Sequence, residues 1–135
     1  LYFLPSMAFQ IARLPATGGT IDVGNLNVQK NFLHVRDVVR AYAALLESGQ
    51  GGETYNLGAR ESRSLEEILR LMAEMSGKPV EYRTHPDRFR EESPEPVSVC
   101  TNKLQEHTGW RREESLESLL GDLLSYWSDQ IKTAP

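Results

Sequence analysis

The 135-residue chain reads as mixed α/β, a single domain of about five helices and short strands. Three observations predict this. Apolar residues recur at helical spacing, most clearly over 65–75 and 116–127. Short alternating stretches at 20–23, 53–57 and 80–83 fall between the helical ones, with the period of half-buried strands. Gly and Pro separate the two kinds of segment, as at Gly49–Gly52 and Gly77.

The elements follow in chain order. Ser6 after Pro5 is placed to cap a first helix carrying Met7, Ile11 and Leu14 at i, i+4, i+7. A strand over 20–23 closes in the turn Gly24-Asn25. Residues 32–35 are a second extended piece. A helix over 37–47 then starts with Asp37 in its first turn, where the positive end of the helix favours a carboxylate. Its expected buried stripe is Val38, Tyr42 and Leu45, and Gly49 stops it.

After the strand at 53–57, Ser64 and Glu67 form a capping box, and Leu65, Ile68, Leu69, Met72 and Met75 trace one helical face as far as Gly77. A strand over 80–83 leads into a surface loop at 84–96, which holds three prolines. Residues 97–99 suit a last strand, and 102–107 a short helix stopped by Gly109. Leu116, Leu119, Leu120, Leu123, Leu124 and Trp127 define a long amphipathic final helix. Residues 1–4 carry no weight in this reading.

Composition narrows the function classes. The fractions, 39% hydrophobic and 25% charged, are those of a globular chain, and a net charge of −4 argues against general nucleic-acid affinity. No apolar run reaches membrane-spanning length, so no membrane role is expected. The lone Cys100 cannot pair internally, which fits a reducing cytoplasm, and it reads as a small buried residue.

A reaction centre is not encoded. A dinucleotide fingerprint needs glycines that follow a strand and open a helix, whereas Gly49–Gly52 follows a helix and enters a strand. His34, His85 and His107 lie far apart without partners at metal-ligand spacing and read as ordinary surface histidines. The Glu66-Glu67, Glu91-Glu92 and Glu113-Glu114 pairs read as solvated faces.

The order of motifs nevertheless resembles the C-terminal, substrate-binding part of extended short-chain dehydrogenases/reductases that act on nucleotide sugars. The nearest branch is that of GDP-mannose 4,6-dehydratase and GDP-6-deoxy-mannose reductase. The residues carrying the resemblance are "SMAFQIARL", the turn Gly24-Asn25-Leu26, "KNFLHVRDVVRAYAALLE", "GETYNLG", "SLEEILRLMAEMSG", "HPDRFR", "NKLQEHTGW" and "SLESLLGDLLSYW". No single motif is specific; their joint order over most of the chain is.

The resemblance implies a fold and a task. Members carry an N-terminal Rossmann domain with an NAD or NADP loop and a Tyr-x-x-x-Lys pair. None of Tyr2, Tyr42, Tyr55, Tyr82 and Tyr126 has Lys four residues on. The chain is therefore expected to bind no cofactor or metal itself and to supply no catalytic residue. The implied ligand is a nucleoside diphosphate sugar of the GDP-mannose or GDP-4-keto-6-deoxy-mannose type. The other implied partners are the Rossmann domain and, for the parent enzyme, a second copy in a homodimer.

The substrate-binding residues implied are Gly24, Asn25, Leu26, Lys30 and Arg90. Lys30 stands where the family has Arg before an Asp-Phe/Trp pair, and Arg90 at the Arg of a Phe-Arg-Pro loop. Both would meet the pyrophosphate by charge-assisted contacts. The chain departs from the pattern at Lys30, Asn31, Glu91, Ser93 and Cys100. Asn25 alternatively only supplies a turn with positive φ, and Lys30 and Arg90 are alternatively exposed loop cations. Trp110 and Trp127 read as core packing. A non-catalytic interaction module that keeps the fold without the ligand is the competing class.

Overall fold

The structure, a computed structural model, describes residues 2–89 and 95–133. It is mixed α/β, with five helices and four short strands among the described residues. These are α1 (Phe3–Arg13), β1 (Gly19–Val23), β2 (Gln29–Lys30), α2 (Val35–Ser48), β3 (Arg63–Ser64), α3 (Leu65–Ser76), β4 (Val80–Thr84), α4 (Asn102–Thr108) and α5 (Leu116–Thr133). The chain divides into two compact units, one of residues 1–28, 64–94 and 120–135, the other of 29–63 and 95–119.

In the first unit β1 and β4 pair in parallel, from Gly19 against Val80 to Val23 against Thr84. Parallel pairing needs a long crossover, and α3 lies within it. Ile21 and Val23, alternate residues of β1, point into a core with Met7, Ala8 and Ile11 of α1 and Ile68, Leu69 and Met72 of α3. The capping box forms: Ser64 Oγ accepts the Glu67 N–H at 3.1 Å, and Glu67 Oε2 accepts the Ser64 N–H at 3.1 Å. Gly77 ends α3 with φ of 65°, the left-handed value a side chain would strain.

The second unit centres on Ala41, Leu104 and Trp110, with Leu33, Leu45, Tyr55 and Leu57 packed around them. Its polar anchor is Asp37, which is fully buried. Glu113 N–H donates to Oδ1 and Glu114 N–H to Oδ2, each at 3.1 Å, and Arg40 pairs with the same carboxylate.

Several expectations are corrected. Ser6 does not cap α1, which begins at Phe3 and places Pro5 in its first turn, where the missing N–H is harmless. The extended piece at 32–35 gives way to β2 at Gln29–Lys30, and neither 53–57 nor 97–99 is a strand, since no ladder partner lies beside them among the described residues. Tyr42 is 60% exposed rather than buried; α2 turns Asp37 and Ala41 inward instead. Cys100 is exposed. His34 is buried, because its ring nitrogen caps α2 by accepting the Arg36 N–H at 3.1 Å.

Candidate functional site

Three of the expected binding residues lie in the first unit, on the turn after β1. Gly24 is required there by a close approach: a Cβ would stand 2.2 Å from the carbonyl oxygen of Arg88. Asn25 does not adopt positive φ, which among the described residues only glycines do. It shapes the turn with its side chain, whose Oδ1 accepts the Asn27 N–H at 3.1 Å. The Leu26 and Val28 carbonyls accept from Glu66 and Leu65, at 3.1 and 3.0 Å, and so tie the segment to the start of α3.

The strand leading to this turn is fixed as firmly. Gln10 bonds both the N–H and the C=O of Asp22, at 2.9 and 3.0 Å. Arg83 reaches Oδ1 of Asp22 through Nε and an Nη, at 3.1 and 2.9 Å, and Arg88 donates to the Asp22 carbonyl at 3.1 Å. The hydrogen bond from Arg83, against a smaller opposing effect of burial, holds the Asp22 carboxyl below the usual range.

Lys30 lies in the second unit, in a cleft of about 130 Å³ whose walls include Phe32, Glu61, Arg63, Arg112 and Glu117. Among the described residues that line it are three cations and two carboxylates. Glu117 is held below the usual carboxylate range by its own backbone N–H, then by the Ser115 hydroxyl, with the Arg63 and Arg112 charges adding to both. Small-molecule pockets run to roughly 300–1,000 Å³, so this cleft fits one phosphate-sized group rather than a whole nucleotide sugar.

Asn31, a departure from the family pattern, straps the cleft. Its Oδ1 accepts the Ala59 N–H at 2.7 Å, and its Nδ2 donates to the Ala59 carbonyl and to that of Glu61, the latter at 3.3 Å. Sequence reading missed this role and the two arginines, because nothing local marks residues at 63 and 112 as neighbours of 30. Arg90 lies outside the described residues.

A larger cleft, about 340 Å³, lies in the first unit and is lined by Lys78 among others. That lysine is spent on structure: Nζ donates to the carbonyls of Ile11, Ala12 and Leu14 at 3.0, 3.0 and 2.7 Å. Among the described residues no group of three His, Cys, Asp or Glu side chains could hold a metal, and no helix is long and apolar enough to cross a membrane.

The glycines with positive φ are Gly18, before β1, Gly52, after α2, and Gly77 and Gly109, which end helices. None of the four opens a helix after a strand, the arrangement that cradles a pyrophosphate.

Comparison with known proteins agrees with the fold. The chain is 29% identical to GDP-6-deoxy-D-mannose reductase of Pseudomonas aeruginosa over 133 residues, 97% of this chain and 44% of the relative. It is 26% identical to UDP-glucose 4-epimerase of Bacillus subtilis, over 76% of this chain and 30% of that one. The solved structure of RMD from Pseudomonas aeruginosa complexed with NADPH superposes with a TM-score of 0.82 at 30% identity, covering 95% of this chain and 42% of that chain. A putative epimerase from Burkholderia cenocepacia follows at a TM-score of 0.73 and 27% identity, covering 92% and 41%. The chain thus spans about two fifths of the length of the Pseudomonas reductase and of the NADPH-bound structure. The family model described as GDP-mannose 4,6 dehydratase matches residues 4–123, and the chain belongs to that family.

Proposed function

We propose that the chain is the nucleotide-sugar recognition part of an NAD(P)-dependent reductase, dehydratase or epimerase, with a GDP-linked 6-deoxy- or mannose-type sugar as its ligand. One observation carries this reading. Lys30, at the family's anion-binding position, lines a cleft with Arg63 and Arg112 that has room for one phosphate. The resemblance to a GDP-sugar reductase over 97% of the chain supports the choice of nucleotide.

The chain's residues bind and orient; they do not turn over substrate. Lys30 and Arg90 are assigned to the pyrophosphate, and Gly24, Asn25 and Leu26 to contacts with the sugar nucleotide. In this reading the dinucleotide and the hydride step belong to the other part of a longer enzyme.

Titration calorimetry with GDP, UDP and inorganic pyrophosphate tests the reading. GDP is expected to bind weakly and more tightly than UDP, and Lys30→Ala to weaken it about tenfold or more, the effect of one charge-assisted contact. Binding that Lys30→Ala leaves unchanged would sink the assignment.

A further inference from the structure

The cleft at Lys30 carries an anion of its own. Lys30 and Arg63 stand on neighbouring strands, β2 and β3, and Arg112 reaches the same cleft from the segment before α5. Arg112 is fixed there by its Nε, which donates to the Glu114 carbonyl at 2.8 Å. The facing wall includes Ser115, just before α5, and Glu117 in its first turn. The Glu117 carboxylate accepts its own backbone N–H and the Ser115 hydroxyl, and both arginine charges act on it. These contacts keep it ionised at neutral pH and hold it beside the cations.

We infer that Glu117 is a built-in counter-ion of Arg63 and Arg112, which an incoming phosphate must displace, and that it restricts the cleft to anions carrying more than one negative charge. The inference deepens the proposed function and rests on its anion site at Lys30. Two physical arguments support it. A tethered group competes at an effective concentration set by its linkage, in the millimolar range for short flexible ones, so a free carboxylate of equal charge gains little by exchanging with it. A phosphate dianion gains more, because it brings a second charge and further oxygens to the planar forks of two arginines. Glu117 therefore acts as a specificity determinant without contacting the ligand.

The test follows the amide shifts of residues 30–32, 61–63 and 112–117 while inorganic phosphate and, separately, formate are titrated at about pH 8. Chemical shifts report binding even at millimolar affinity. Glu117→Gln keeps an oxygen for the Ser115 hydroxyl and the residue's own N–H, and removes only the charge. It should tighten phosphate about tenfold, the strength of one charge-assisted contact released. It should also admit formate, which the unaltered chain excludes. Glu61→Gln removes the other carboxylate of the cleft and should change phosphate affinity by less than about threefold, as a screened surface charge does. A melt checks that Glu117→Gln is folded, and Glu117→Ala replaces it if it is not.

A Glu117 variant that binds phosphate no better than the unaltered chain overturns the inference. So does formate binding to the unaltered chain as tightly as phosphate. An equal gain from Glu61→Gln overturns it too, by assigning the effect to net charge. GDP separates this inference from the functional reading. If GDP binds neither protein while Glu117→Gln still tightens phosphate, the counter-ion stands and the nucleotide-sugar reading falls. If Lys30→Ala weakens GDP and Glu117→Gln gains nothing for phosphate, the nucleotide-sugar reading stands and the counter-ion falls.

Discussion

The indole N–H of Trp110 donates to the backbone carbonyl of Asp37 at 3.1 Å, so the residue that anchors the second unit's core is bonded at both its backbone and its side chain. The Asp37 carboxylate meanwhile accepts from two successive amides, Glu113 and Glu114, and thereby holds the segment after Trp110 against α2. Asp37→Ala would leave both amides and the Arg40 guanidinium without this partner. Arg40 is 35% exposed and recovers part of its loss in water. The expected destabilisation is about 3 kcal/mol, read as a shift in the urea midpoint. Arg40→Ala should cost clearly less, since the two amide bonds to Asp37 survive it.

Lys78 ends α1 from a distance. The last carbonyls of a helix have no partner within it, and here one ammonium serves Ile11, Ala12 and Leu14 together. Lys78→Met keeps the length of the side chain and removes the donors and the charge, so it should cost about 2 kcal/mol. Amide exchange would localise the effect: the last turn of α1 should open while α3 stays protected. Uniform loss of protection would refute the capping role.

What the sequence revealed follows from the range of the interactions involved. The Ser64–Glu67 box, the Gly77 and Gly109 stops and the apolar face of α3 are local, decided within four residues, and appear as read except that Met75, at the end of that face, is exposed. The expected strands at 53–57 and 97–99 depended on a ladder partner, which local alternation cannot guarantee. On α2, Leu45 packs on the core as read but Tyr42 does not: it is the larger apolar residue, yet the buried Asp37, with three hydrogen-bonding partners, and Ala41 take the inward positions. At the site, Lys30 and the Gly24-Asn25-Leu26 turn came from resemblance to a family. Arg63 and Arg112 could be joined to Lys30 only through the fold.

Asn31 offers a test of whether its departure from the family's Asp is tolerated by accident or built in. The side chain must donate to the Ala59 carbonyl and accept the Ala59 N–H, which an amide does and a carboxylate cannot. Asn31→Asp would set two acceptors face to face and should destabilise the second unit by about 2 kcal/mol at neutral pH. The penalty should shrink below about pH 4, where the introduced acid is protonated and can donate again. A penalty independent of pH would mean the strap is not what Asn31 contributes.

The Asp22–Arg83 pair gives a pH dependence with a definite sign. Hydrogen bonds from Arg83 lower the Asp22 pKa in the folded chain, with the nearby His85 and Arg88 charges acting in the same direction. A folded value below the ordinary one, about 3.9, stabilises the folded state above that pH; the contribution is lost as pH falls through the lower folded value. Because Gln10 clamps the Asp22 backbone on both sides, Arg83→Ala should leave the carboxylate in place and change only its surroundings. Its titration, followed by carboxyl NMR, should then move upward toward the ordinary value. The variant should be less stable than the unaltered chain at neutral pH, and the difference should vanish as pH falls through the lowered folded value, because Asp22 no longer contributes to the acid loss in the variant. If the Asp22 titration stays where it was, Arg83 is not the cause of the shift, and the salt bridge across β1 and β4 contributes only proximity.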